Sequence, residues 1–209
     1  MRLLPAFLAL LALLAVPGRA FVVATYNVEN YLVADRVVEG VFRPAFPKPE
    51  PAKQAVRQVI RAIGADVVAL QEMGRQPFLD ELQRDLRAEG ADYPHAVVLD
   101  AADADRHVAV LSRLPLKEVR RHTALPVKFL VGSDVVKRGV LEVTVETPAG
   151  DVTVFVAHLK SRRTERKDDP EGAAQRAAEA EAVRNLELAR FPDPAAAKFI
   201  VCGDWNDTR

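Results

Sequence analysis

The chain has 209 residues, 49% of them apolar and 6% aromatic, with 29 basic side chains against 29 acidic ones. Half-apolar composition with balanced charge buries enough surface to offset chain entropy, so wholesale disorder is excluded, and the length fits one domain with a single sizeable core. A lone cysteine, Cys202, excludes any intramolecular disulfide or cysteine-based zinc cluster, and zero net charge supplies no global field for a polyanion.

Residues 1–20 read as a secretory leader. Arg2 supplies a positive start, Leu3–Val16 is an uncharged apolar run, and Gly18 and Ala20 place small residues at its end. The run falls short of the ~18–20 residues that a spanning helix needs. The expected mature protein, residues 21–209, is exported, periplasmic or secreted, and not transmembrane after processing. Its first element is a strand, FVVATYN (21–27), followed by a stretch whose prolines at 44, 47, 49 and 51 predict an exposed loop rather than regular pairing.

Next, Ala52, Ala55, Val56, Val59, Ile60 and Ile63 recur at helical spacing before Gly64, which predicts a helix with a glycine stop. Asp66–Leu70 is a short buried strand, and Pro77–Glu89 a helix with Phe78, Leu79, Leu82 and Leu86 on one side. After Gly90 the chain turns to strands near 93–99, 108–112, 119–123, 140–147 and 152–158, the last two joined as a hairpin through Pro148–Asp151. A long helix over 172–190 is expected to pack Ala174, Ala178, Ala182, Leu186 and Ala189 on a sheet, and Phe199–Cys202 forms a last strand. Mixed strands covered by helices predict a layered α/β or α+β sandwich.

Several strands end in polar residues that a core does not need: Asn27 and Glu29, Gln71 and Glu72, His158, and Asp204, Asn206 and Asp207. Strand ends are where a site can be assembled from distant sequence. Oxygen donors dominate this set, which suits Mg²⁺ or Mn²⁺, whereas His95, His107, His122 and His158 show no zinc-ligand spacing. Taken singly, each has a plain structural reading, because Asn and Gly-Asp form turns and Gln-Glu can cap a helix.

Five motifs occur in order: T-Y-N-V-E-N (25–30), A-L-Q-E (69–72), A-V-L-S-R-L-P-L (109–116), A-H-L-K-S-R (157–162) and G-D-W-N-D (203–207). On these motifs the chain resembles the endonuclease/exonuclease/phosphatase superfamily related to pancreatic deoxyribonuclease. The resemblance implies a four-layer α/β/β/α sandwich of two packed mixed sheets and hydrolysis of phosphoesters with a divalent metal. It implies Glu72 as principal metal ligand with Asn27 and Glu29, Asp204 orienting or deprotonating the attacking water, Asn206 holding the phosphate or the metal's waters, and His158 hydrogen-bonding a phosphate oxygen. Ser112-Arg113 reads as a supporting element, and the basic run Lys160–Lys167 as a solvated charged loop.

The expected partner is a phosphoester, nucleic acid among the candidates, with no stable protein partner. Phe42 and Phe46 speak for a lipid and the basic loop for nucleic acid, so both substrate classes stay open. Family members continue past G-D-x-N to a late S-D-H motif that this sequence does not contain, so the expected sandwich lacks its last strands. The alternative reading is a catalytically impaired remnant of the same fold that binds metal or phosphate without turnover.

Overall fold

A computed structural model of the chain describes residues 20–130 and 132–207, so the expected leader, apart from Ala20, falls outside the described residues. In chain order the elements are β1 (Val23–Tyr31), β2 (Val33–Val38), β3 (Val41–Pro47), α1 (Glu50–Ile63), β4 (Val67–Met73) and α2 (Gln76–Ala88). There follow β5 (His95–Leu99), β6 (His107–Ser112), β7 (Leu116–His122), β8 (Pro126–Phe129) and β9 (Gly132–Val135). The last are β10 (Val140–Val145), β11 (Val152–His158), α3 (Ala173–Arg190) and β12 (Phe199–Asp204). Among the described residues no helix is long and apolar enough to cross a membrane.

Two four-stranded sheets dominate, one ordered β1-β4-β6-β5 and the other β12-β11-β10-β7. Each is mixed: β1 runs parallel to β4 and β12 parallel to β11, while the remaining pairs are antiparallel. Their facing sides share one core, in which Val67, Ala69, Val108 and Val110 of the first sheet meet Leu141, Val143, Val154 and Val156 of the second. The outer side of the first sheet is closed by Val56 and Ile60 of α1 and Leu79, Leu82 and Leu86 of α2. Val183 of α3 packs with Phe155 and Ala157 on the outer side of the second. The order helices, sheet, sheet, helix is the expected four-layer sandwich.

The expected exposed loop at 35–51 is a β-hairpin instead, β2 pairing antiparallel with β3. Its turn, Glu39-Gly40, has positive φ at both residues (52° and 78°), the geometry that matches strand twist in a two-residue hairpin. Proline is tolerated because the hairpin forms a two-stranded sheet of its own. Pro44 sits in a bulge where the register shifts between Ala34 and Arg36, and Pro47 ends the strand. Pro49 and Pro51 then open α1, where a missing N–H costs nothing.

Two helix faces also differ from expectation. In α1 the buried face carries Val56, Arg57 and Ile60, while Val59 and Ile63 are exposed. The rotation places Lys53 against Glu81 (2.5 Å) and Arg57 against Glu89 (2.6 Å) of the α2 region, so the charged pairs lie between the two helices. In α3 the alanines 174, 178 and 182 face not the sheet but Val127, Phe129 and Val136 around the β8–β9 hairpin. That hairpin has no counterpart in the predicted elements, because its strands are only four residues long.

One glycine decides how β12 lies on β11. Gly203 is opposite Ala157 with φ of 152°, and a Cβ there would lie 1.9 Å from the Ala157 carbonyl oxygen. Gly203→Ala is therefore expected to cost about 3 kcal/mol or more, because the obstacle is backbone that cannot rotate away. A lowered urea midpoint at unchanged m-value would show it. A second expectation concerns His107, 1% exposed, whose two ring nitrogens have no hydrogen-bond partner. Burial lowers its pKa, with the Asp100 charge opposing. The folded protein thus binds this proton less readily than the unfolded chain. The contribution of His107 to stability is then constant above the unfolded histidine pKa of about 6.5 and falls as pH drops below it. Thermal melts of His107→Leu should show a flatter loss between about pH 6.5 and 5 than the parent.

Candidate active site

The site lies where the parallel pairs end. The registers Asn27↔Gln71 and His158↔Asp204 bring the first two motifs and the last two to corresponding edges of the two sheets. Asn27 Nδ2 donates to Asp204 Oδ2 at 2.8 Å, joining residues 177 positions apart and linking one sheet to the other. Asp204 Oδ1 accepts the Asn206 backbone N–H at 2.9 Å, and His158 Nε2 is 3.9 Å from Asp204 Oδ2. A cleft of about 300 Å³ opens here, lined by Thr25, Asn27, Gln71, Asp204, Trp205 and Asn206 among others.

Glu72 is aimed by irregular pairing. Between the pairs Asn27↔Gln71 and Tyr31↔Met73, residues 28–30 of β1 oppose Glu72 alone. On its other side β4 also shifts register against β6 between Leu70 and Met73. Such bulges turn a side chain out of the regular alternation. The backbone bears the cost: Glu29 (φ 50°), Asn30 (54°), Glu72 (60°) and Asn206 (52°) are all left-handed non-glycine residues. Each of these is held at an energy of order 1 kcal/mol or more above ordinary backbone. The turn is closed by Asn30 N–H donating to Glu72 Oε2 at 3.0 Å and Glu29 N–H donating to Asn27 Oδ1 at 2.9 Å.

The segment His158–Lys160 is fixed from several directions. Leu159 N–H donates to the Asp204 carbonyl at 3.0 Å, and the Leu159 carbonyl accepts Asn206 Nδ2 at 3.0 Å. Lys160 N–H donates to the buried Glu179 carboxylate at 2.7 Å, and Arg176 Nη1 lies 3.4 Å from the Lys160 carbonyl. His158 itself is 2% exposed, and its Nδ1 has no partner. Burial, and then the positive charge of Arg138, lower the His158 pKa against the pull of Asp204 and Glu72. Arg138 is anchored by Asp103, with Nε 2.8 Å from Oδ2. Burial raises the pKa of Asp103, but the N–H groups of Arg106 and Asp105 and the Arg138 charge outweigh it and hold the carboxyl below the usual range.

The six residues to which the resemblance gave a role thus stand at this end of the sandwich: Asn27, Asp204, Asn206 and His158 in one linked group, Glu29 and Glu72 on the adjoining turn. Asp207 lies at the edge, 3.6 Å from Arg176 Nη2. Arg162 and Arg166 of the basic loop pair with Glu171 and Asp168. Sequence reading missed Asn30, Lys48 and Arg138. Asn30 lies inside the N-V-E-N motif and could have been noticed there; Lys48 and Arg138 carry no local signal, since only tertiary contacts bury them.

Whether these residues suit a divalent cation can be judged from the donors. Among the described residues no three His, Cys, Asp or Glu side chains converge as a cage. Magnesium, however, keeps several waters and needs only one or two carboxylates. Glu72 supplies one carboxylate, and the buried Asn30 Oδ1 has no hydrogen-bond partner. An oxygen-rich set of this kind fits a hydrated hard cation better than zinc.

A sequence model of the endonuclease/exonuclease/phosphatase family matches residues 24–209. Among solved structures, a mutant beta toxin from Staphylococcus aureus with bound magnesium ions is similar at 19% identity and a TM-score of 0.57, covering 75% of this chain and 57% of that one. Sphingomyelinase C from Streptomyces griseocarneus is similar at 21% identity and a TM-score of 0.58, covering 88% and 63%. A humanized TDP2 from D. rerio gives 15% identity and a TM-score of 0.55, covering 88% and 61%. The chain thus spans less than two thirds of the length of each of these three. No curated protein matches it. Identities this low establish the fold that the two packed sheets display.

The link between the sheets is open to direct measurement. A double-mutant cycle on Asn27→Ala and Asp204→Ala, read by chemical denaturation, should give a coupling of about 1–2 kcal/mol, as for a partly buried hydrogen bond to a charged group. Additive effects would show that the two sheet ends are not energetically joined here.

Proposed function

Because the chain belongs to the endonuclease/exonuclease/phosphatase family, matched over residues 24–209, we propose that it is a divalent-metal-dependent phosphodiesterase acting by in-line attack of water on phosphorus. The observation that carries this reading is the Asn27–Asp204 hydrogen bond of 2.8 Å, which joins the first motif to the last, while Asn30 of that first motif bonds Glu72. Glu72, with Asn27 and Glu29, would hold Mg²⁺ or Mn²⁺. Bound there, the cation supplies charge neutralisation for the phosphoryl oxygens.

The chain's own groups then have separable tasks. Asp204 retains acceptor capacity on both carboxylate oxygens after receiving Asn27 and the Asn206 N–H, so it can orient the attacking water and take its proton. Asn206 commits one amide hydrogen to Leu159 and keeps the other, with its amide oxygen, for the phosphate or a metal-bound water. His158, with its lowered pKa, works as a neutral donor to a phosphate oxygen rather than as an imidazolium. Trp205, 41% exposed beside Asp204, offers a flat face on which a base can stack, which favours nucleic acid among phosphodiesters. The leader-like residues 1–20 support action outside the cytoplasm.

A second reading, a binder of metal or phosphate without turnover, needs the same donors at Glu72, Asp204 and Asn206 but no activated water. Residues 21–209 with Mg²⁺ or Mn²⁺ should hydrolyse bis(p-nitrophenyl) phosphate and lose the activity in EDTA. Glu72→Gln and Asp204→Asn should each lower kcat about 10²–10⁴-fold. No turnover, combined with a Glu72-dependent Mn²⁺ affinity, would select the binder; turnover that survives Glu72→Gln would remove the metal-ligand assignment.

A further inference from the structure

Two cations from the hairpin region grip the turn that carries Glu29 and Asn30. Lys48, between β3 and α1, is 6% exposed, and its Nζ donates to the Glu29 carbonyl at 2.9 Å. Arg36 of β2 places Nη2 at 2.7 Å from both the Asn30 and the Leu32 carbonyls, while its Nε donates to the Phe46 carbonyl at 2.9 Å. The carbonyls of residues 29, 30 and 32 are therefore held by side chains. The β1 bulge explains the need at Glu29 and Asn30, since residues 28–30 fall between the paired positions of β1 and β4, and the Asn30 carbonyl also accepts the Leu32 N–H at 2.7 Å. Carbonyls that leave a ladder must find other partners or pay for desolvation.

Burying a lysine is costly unless charge and hydrogen bonds offset it. Burial, with the neighbouring Arg36 charge, lowers the Lys48 pKa, and the charges of Glu29 and Glu72 in the site oppose this in part. A neutral side chain could have satisfied the Glu29 carbonyl at less cost. The arrangement also joins strain to function, as the same left-handed turn points Asn30 N–H at Glu72 Oε2.

We infer that Arg36 and Lys48 are positioning residues of the metal site: they lock the strained Glu29–Asn30 turn and, through the Asn30 N–H, hold Glu72 in place to receive a divalent cation. This rests on the reading that Glu72 and its neighbours take the metal. The hairpin is thus a strap across the first motif, and its contribution appears in metal affinity before any substrate is present.

The direction of the effect separates positioning from simple charge. As a charge, Lys48 repels an incoming cation, so removing it would tighten binding; as a clamp, removing it frees the turn and weakens binding. Mn²⁺ affinity of residues 21–209 is measured by the paramagnetic resonance of free Mn²⁺, for the parent, Lys48→Met, Lys48→Arg, Arg36→Met and Glu72→Gln. The expected result is weakening by about tenfold or more in Lys48→Met and Arg36→Met, with Lys48→Arg within about threefold of the parent. Lys48→Met binding Mn²⁺ as tightly as the parent, or more tightly, overturns the clamp. Should Lys48→Met not fold, by circular dichroism, Arg36→Met against Arg36→Lys carries the same comparison. If Glu72→Gln leaves the affinity unchanged, the metal-site reading fails and takes the clamp with it. If Glu72→Gln weakens binding and the clamp variants do not, the clamp alone fails.

Discussion

The arrangement of this site depends on the register of β12 against β11. With Ala157 opposite Gly203, the next pair is His158 and Asp204, and the polar residues that end each strand arrive side by side. A slip of one residue would send every side chain of β12 to the opposite face. Gly203 fixes the register sterically, since only a residue without Cβ can lie so close to the Ala157 carbonyl. The backbone bond from Leu159 to the Asp204 carbonyl extends the pairing by one step beyond the strands, and Asn206 closes it from the other side.

From that fixed edge the rest of the site is reached by the side-chain bridge from Asn27 to Asp204 and by irregularity in the first sheet. A regular β1–β4 ladder would alternate Glu72 in or out with its neighbours. The bulge and the left-handed residues instead set its carboxylate against the Asn30 N–H. Four of the seven left-handed non-glycine residues among the described residues, Glu29, Asn30, Glu72 and Asn206, lie where function is proposed, and the surrounding polar contacts compensate their strain. The same division holds behind His158, where Glu179 and Arg176 of α3 hold Lys160 by its backbone. Helix α3 therefore does more than cover the second sheet: its polar residues Gln175, Arg176 and Glu179 are buried against the loop that follows β11.

How much of this was legible beforehand differs from residue to residue. The apolar run Asp66–Leu70 and the hairpin of β10 with β11 could be read directly, because a fully buried strand and a proline-glycine turn have local signatures. The prolines of 44–51 misled, since their effect depends on whether a neighbouring strand requires their N–H, and that is a property of the assembled sheet. The helix stripes of α1 and α3 misled for a related reason. Apolar spacing marks a face, but Lys53 and Arg57 pairing with acids of the α2 region, and a hairpin inserted beside the alanines of α3, decided which face was buried.

Apart from the order of the four layers, which only the resemblance of its motifs implied, the sequence by itself determined the class of fold and the identity of the polar residues at the strand ends. Each of these follows from short-range pattern: alternation, helical period, and polar residues placed where an apolar run stops. Only the tertiary structure decided that Asn27 meets Asp204, that Glu72 faces a strained turn, and that Lys48, Arg36 and Arg138 belong near the site. Those facts depend on contacts between segments far apart in the chain, and a lysine or arginine in an exposed-looking stretch gives no local sign that it will be buried. The physical reason is that register and bulge placement come from packing two sheets together, whereas secondary structure comes from neighbours along the chain.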